Sequence, residues 1–208
     1  MTCYIVGAGE FYGFLSRPTA QDVVIAADGG YAVCLREGVT PNYVLGDFDS
    51  LGHVPAASNV EVVPVEKDDT DMMLAVKKGL ALGCREFYLY GGTGGRADHT
   101  MANLQTLLYL KNRGASGWLV DVSCRCTVLK NESVTFPAQE SGILSVFAFG
   151  GVAKGVSVTG AKYSLEDGTL NPEFPLGVSN HFVGEAVTVS VTEGALLVYL
   201  SQNDEGAI

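Results

Sequence analysis

Five short apolar runs, CYIVG, DVVIAA, YVLGD, VEVVPV and EFYLYG, punctuate the first 117 residues, and stretches with helical spacing separate several of them. Nothing else in the sequence constrains the fold as strongly. Strands that are apolar throughout, alternating with helices, predict a parallel sheet covered on both faces, an α/β arrangement. In DMMLAVKKGLAL, the spacing puts Met72, Met73, Val76 and Leu80 on one helix face and Lys77 and Lys78 opposite. In ADHTMANLQTLLYLKNRG, Met101, Leu104, Leu108 and Leu110 supply the apolar side and Gly114 the C-cap.

From Trp118 the pattern changes. WLVDV, CTVLK, SVTF, ILSVFAF, VSVTG, VTVSV and ALLVYL are short strands separated by Gly, Asn, Pro and Glu, with no helix between them. They predict a small antiparallel all-β sandwich or barrel. The expected organisation is therefore 1–117 as an α/β domain and 118–208 as a β domain. Charge shifts with the pattern, since residues 131–208 hold two lysines and no arginine against nine acids.

The net charge of −10 argues against a nucleic acid or an anionic membrane as partner, since either demands a basic face. A polyanionic small substrate remains compatible if a cation accompanies it. The five cysteines are scattered without a CxxC pair, as expected of reduced, buried thiols. MTCYIVGAGE has no basic stretch followed by an apolar one, and ILSVFAF falls far short of the ~18 residues of a spanning helix. A cytoplasmic protein is expected.

In a parallel α/β sheet, ligands bind beyond the carboxyl ends of the strands. Four polar clusters directly follow apolar runs: DGGY (28–31), GDFDS (46–50), EKDDTD (66–71) and GGTGGRADH (91–99). Asp47 and Asp49 are two apart, so in extended chain they point to the same side, and Asp71 opens the following helix. Three carboxylates with water and phosphate completing the shell suit Mg²⁺. A turn built on Asx bonds is the plain alternative for GDFDS, and helix capping for Asp68, Asp69 and Thr70. GGTGGRADH combines glycines that let backbone N–H groups approach phosphate with Arg96, which can clamp it in bidentate fashion. It is neither a Walker A loop nor a GxGxxG fingerprint. His99 reads as a hydrogen-bonding residue of the first helical turn. Carboxylates alone would repel a polyphosphate; with a divalent cation they orient one.

The ordered set DGG, GDFDS, KDDTD and GGTGGRADH, followed by GAKYSL and GVSN, resembles the thiamine pyrophosphokinase family. The motifs span residues 28 to 180 and are specific in combination. The resemblance implies a three-layer α/β Rossmann-like domain followed by an all-β sandwich, a homodimer with a shared active site, and Mg²⁺-dependent transfer of pyrophosphate from ATP to the hydroxyl of thiamine. It implies that Asp47, Asp49 and Asp71 hold the metal and that Lys67, Asp68, Gly94, Gly95, Arg96 and Asp98 line the nucleotide and transfer site. Asp28 and Gly29 would sit beside the nucleotide, and Tyr163, Ser179 and Asn180 on the thiamine side. Ala161 departs from the larger apolar residue usual in GAKYSL. A hydroxymethyl-pterin pyrophosphokinase and a non-enzymatic thiamine or nucleotide sensor are the alternative functions.

Overall fold

The computed structural model describes residues 1–48 and 52–201. The chain divides into two compact units, residues 1–122 and 123–208. The first contains β1 (Thr2–Val6), β2 (Val23–Ala27), α1 (Gly30–Arg36), β3 (Tyr43–Gly46), β4 (Val60–Val62), α2 (Asp71–Ala81), β5 (Glu86–Tyr90), α3 (Ala97–Lys111) and β6 (Ser116–Val120). Its strands pair in the order β6-β5-β1-β2-β3-β4. Every pairing is parallel, with Ile5 opposite both Ile25 and Leu89.

Successive residues of β1 and β2 are buried, so both faces of the sheet centre are covered. On one face Tyr4, Val6, Val24, Ala26, Val44 and Tyr90 form a core with Cys34 of α1. Phe11 and Phe14 of the β1–β2 connection close over it, the Phe11 ring tilted and the Phe14 ring edge-on to Tyr90. On the other face α2 and α3 lie against Cys3, Phe87 and Gly117.

Three sequence expectations change here. The buried face of α2 is Met72, Ala75, Val76 and Gly79, with Met73 and Leu80 only half-buried. The helix comes so close that a Cβ on Gly79 would lie 2.6 Å from the Phe87 ring, so small residues must face the sheet. In α3 the buried residues are Asn103, Thr106, Leu107 and Leu110, whereas Met101 is 54% exposed. Asn103 tolerates burial because its Nδ2 donates to Gly92 O at 2.7 Å. Lastly, Trp118–Val120, expected in the β-rich half, belongs to β6 and pairs parallel with β5. The change to antiparallel pairing falls after residue 122. Gly114 does sit at the end of α3, at φ +68°, two residues beyond the C-cap Asn112.

The second unit contains β7 (Cys124–Lys130), β8 (Ser133–Phe136), β9 (Ile143–Ala148), β10 (Ala153–Thr159), β11 (Leu165–Leu170), β12 (Gly177–His181), β13 (Val187–Ser190) and β14 (Ala195–Ser201). They form two antiparallel groups, β12-β9-β14-β7 and β11-β10-β13-β8. Pairing in the chain is thus mixed, parallel in the first unit and antiparallel in the second. Val146, Val156, Val158, Val187, Val189, Leu196 and Val198 make the buried interior. GVSN lies in strand β12. Among the described residues no helix is long and apolar enough to cross a membrane.

Candidate active site

The carboxyl ends of the parallel strands open into a cavity of about 610 Å³ within the first unit. Each edge is built by a turn that only certain residues can make. Asp28 leaves β2 at φ +48°, with its N–H donating to Leu45 O at 2.7 Å. Gly30 then starts α1 so close to β1 that a Cβ would meet Val6 O at 1.9 Å. Beyond β3, Phe48 adopts φ +58° and buries its ring in the core, which anchors the segment carrying Asp47 at the cavity edge. Thr70 caps α2 by accepting from Met73 N–H at 3.1 Å, and Asp71 follows in the first turn. Capping and a place in the cavity wall coexist at this turn, as Asp69, Thr70 and Asp71 all line it.

Lys67 joins the two carboxylates. Its Nζ lies 3.0 Å from Asp47 Oδ2 and 3.0 Å from Asp71 Oδ1, with the lysine side chain 15% exposed. The Asp47 contact is a hydrogen bond; Asp71 Oδ1 is buried and makes no bond of hydrogen-bonding geometry. Burial pushes the Asp71 carboxyl above its usual range; Lys67 opposes this, and the nearby charges of Asp47 and Asp28 add to it. Burial by itself would lower the Lys67 ammonium, but the two adjoining carboxylates of Asp47 and Asp71 outweigh this and hold it above the ordinary lysine value. Two carboxylates converging on one positive charge form a donor set suited to a hard cation. Asp49, the third expected ligand, lies outside the described residues, and among those described no cluster of three metal-ligating side chains occurs.

The opposite wall is glycine. Gly9 N–H donates to Gly91 O at 2.9 Å, and a Cβ on Gly9 would meet Gly91 O at 2.6 Å and Thr93 O at 2.7 Å. Only glycine permits that backbone approach. Gly94 and Gly95 continue the wall at φ +77° and +62°, and Arg96 ends it. Arg96 is engaged with Asp98, Nε to Oδ1 at 3.2 Å and Nη2 to Oδ2 at 2.6 Å. That exposed pair holds the Asp98 carboxyl below the usual carboxylate range.

The fold therefore gathers Asp28, Asp47, Lys67, Asp71, Gly94, Gly95 and Arg96 around one cavity. Gly29, Asp68 and Asp98 are outside its lining: Gly29 caps α1, Asp68 is exposed, and Asp98 reaches the wall only through Arg96. Gly7, Ala8 and Gly9 are wall residues that the sequence reading missed. The signal was present, because GAGE follows the apolar run of β1 as the four recognised clusters follow theirs.

Tyr163, Ser179 and Asn180 belong to the second unit. Asn180 is buried, and its amide is committed to backbone: Oδ1 accepts from Tyr163 N–H and His181 N–H, both at 2.9 Å, and Nδ2 donates to Tyr163 O at 2.6 Å. Ser179 is exposed at φ +59° in an irregular stretch of the β12–β9 ladder, and its N–H donates to the buried Ser145 Oγ at 3.0 Å. Tyr163 is 59% exposed. Ala161 bridges to Phe182, a buried residue of the same unit.

Taken by fold and site, this is an α/β protein with a glycine-walled, acid-lined crevice at the carboxyl ends of parallel strands, followed by an antiparallel β unit. Residues 17–119 match the thiamin pyrophosphokinase catalytic domain, and residues 131–196 match the thiamin pyrophosphokinase vitamin B1 binding domain. The thiamine pyrophosphokinase of Bacillus subtilis (strain 168) is 30% identical over 191 residues, covering 85% of this chain and 86% of that protein. A crystal structure of thiamine pyrophosphokinase from Bacillus subtilis shares the fold with a TM-score of 0.85 at 24% identity, covering 98% of this chain and all of that one. That of thiamin pyrophosphokinase from Geobacillus thermodenitrificans gives a TM-score of 0.82 at 28% identity, covering 97% of each chain. The chain belongs to the thiamine pyrophosphokinase family.

Proposed function

We propose that this chain is a Mg²⁺-dependent thiamine diphosphokinase, transferring pyrophosphate from ATP to the thiamine hydroxyl. The observation that carries this reading is the match of both family domains, in chain order, with a crevice in the first unit that joins acidic and glycine-rich walls. The hydroxyl oxygen bonds to the β-phosphorus, the bond from that phosphorus to the α–β bridging oxygen breaks, and AMP leaves. The hydroxyl proton departs to solvent.

The first unit serves as a Rossmann-like nucleotide domain and the second as a sandwich that binds thiamine. Asp28 borders the nucleotide, while backbone N–H groups of the glycine wall and Arg96 take phosphate oxygens. Asp47 and Asp71, with Asp49 assigned from the family motif, would hold the metal. The divalent ion supplies charge neutralisation on the phosphates. Arg96 comes to phosphate by exchanging Asp98, to which it is bound at 2.6 Å. Ser179 and Tyr163 face thiamine, and Asn180 sets the backbone that presents them. The protein acts in the cytoplasm as a homodimer with shared sites.

The test is incubation with Mg-ATP and either thiamine or a hydroxymethyl-pterin. AMP in step with thiamine diphosphate is expected with thiamine alone. AMP only with the pterin, or ADP with thiamine monophosphate, would refute the reading; no turnover would favour a sensor. Asp47→Asn should stay folded and lose roughly 10²-fold in turnover, since each carboxylate positions charge in the transition state.

A further inference from the structure

Lys67 occupies the point on which the two carboxylates converge. Its ammonium touches Asp47 and Asp71 at 3.0 Å each, and its side chain is 15% exposed against 12% and 26% for theirs. Asp28 and Asp69 belong to the same cavity lining, so the ammonium stands in an acidic wall. An ammonium at hydrogen-bond distance from both oxygens and a divalent ion bound by the same oxygens exclude each other, by contact and by like charge. We propose that Lys67 is a built-in counter-ion, holding the acidic site assembled without metal and leaving for the nucleotide phosphate when a divalent cation enters.

The structure contains what that exchange needs. Lysine carries its charge on a flexible four-carbon stem, so the ammonium can move while its Cα stays fixed. Asp71 begins α2 behind the Thr70 cap, and Asp47 adjoins the buried anchor Phe48, so the carboxylates are held while the lysine swings. Lys67 itself lines the cavity that the glycine wall and Arg96 bound on the other side. The displaced ammonium has an obvious new partner only when phosphate is present. Metal and nucleotide therefore bind with positive coupling, and reciprocity requires each to tighten the other. The proposal rests on the phosphoryl-transfer reading for the identity of that partner, but not for the competition between lysine and metal.

The experiment is titration of the protein with Mn²⁺ alone, following free Mn²⁺ by electron paramagnetic resonance, for wild type, Lys67→Met and Lys67→Gln. Removing the competing charge should tighten Mn²⁺ binding by roughly tenfold or more. The same variants should show a raised KM for Mg-ATP in the AMP assay. Should neither variant fold, acetylation of Lys67 in wild type, read by mass spectrometry, should be slow without metal and accelerate with Mn²⁺ alone. Equal, weaker or undetectable Mn²⁺ binding in the variants, or unchanged labelling of Lys67, would overturn the proposal. A wild type that makes no AMP yet shows the Mn²⁺ effect would overturn the functional reading and leave the counter-ion role standing.

Discussion

Asp28, Phe48 and Ser179 all adopt positive φ, at 48°, 58° and 59°, although none is glycine. Such conformations cost of order 1–3 kcal/mol and persist only where the surroundings over-determine them. Phe48 is held by its buried ring, and Ser179 by the bond from its N–H to Ser145. Asn180 adds the strongest local restraint, three hydrogen bonds to the backbone of Tyr163 and His181. Its side chain has little capacity left for a ligand. Asn180→Ala should therefore lower unfolding free energy by about 1–3 kcal/mol, since it removes three part-buried hydrogen bonds to the backbone. It should also raise the KM for thiamine. Ser179→Ala, at an exposed hydroxyl, should raise that KM with no loss of stability. Urea unfolding beside thiamine titrations in the AMP assay separates the two. A stable Asn180→Ala protein would return Asn180 to the role of a direct ligand.

At the scale of elements, α3 shows how packing chooses among faces that the sequence leaves equivalent. Leucines occur at 104, 107, 108 and 110, and the sheet takes 107 and 110. A Cβ on Gly117 would lie 2.7 Å from the Leu110 side chain, so the strand is shaped to receive that face. The same rotation turns Asn103 inward to Gly92, which ties the helix to the glycine wall of the cavity. Leu107→Ala should cost about 2–5 kcal/mol. Met101→Gln, on the expected but exposed face, should stay within about 0.5 kcal/mol of wild type. Chemical denaturation of the two variants checks the assignment; equal losses would mean that α3 packs by the other face.

For the whole molecule, the decisive question is where acceptor and donor meet. Chemistry needs the reacting atoms roughly 3–3.5 Å apart. The residues proposed for the nucleotide lie in the first unit and those proposed for thiamine in the second. If the site is shared across a homodimer, Asp47→Asn and Asn180→Ala subunits should complement each other. A heterodimer then contains one composite site free of both lesions and should recover about half the wild-type activity, provided the sites act independently. The measurement is AMP release by the doubly tagged species after co-expression. No recovery in a verified heterodimer would place both halves of the site within one chain.

The sequence by itself determined the alternation of strands and helices, the positions of the polar turns and the family, because these are written in short-range pattern and in the order of motifs. KDDTD directly precedes a helix whatever that helix packs against. Tertiary structure decided the rest. Helical periodicity fixes spacing but not which of two neighbouring stripes meets the sheet, and close approach at Gly79 and Gly117 settled that in α2 and α3. Nor does sequence reveal that Lys67 spans to Asp47, twenty positions away, or that Gly9 lies against Gly91. Both contacts follow from strand order β5-β1-β2-β3-β4, which brings distant turns to one rim. Asn180 is the clearest case: its position in GVSN suggested a ligand, and only the folded β unit turned its amide onto Tyr163. A buried amide takes whatever backbone partners the fold supplies, because leaving it unpaired costs more than any choice among them.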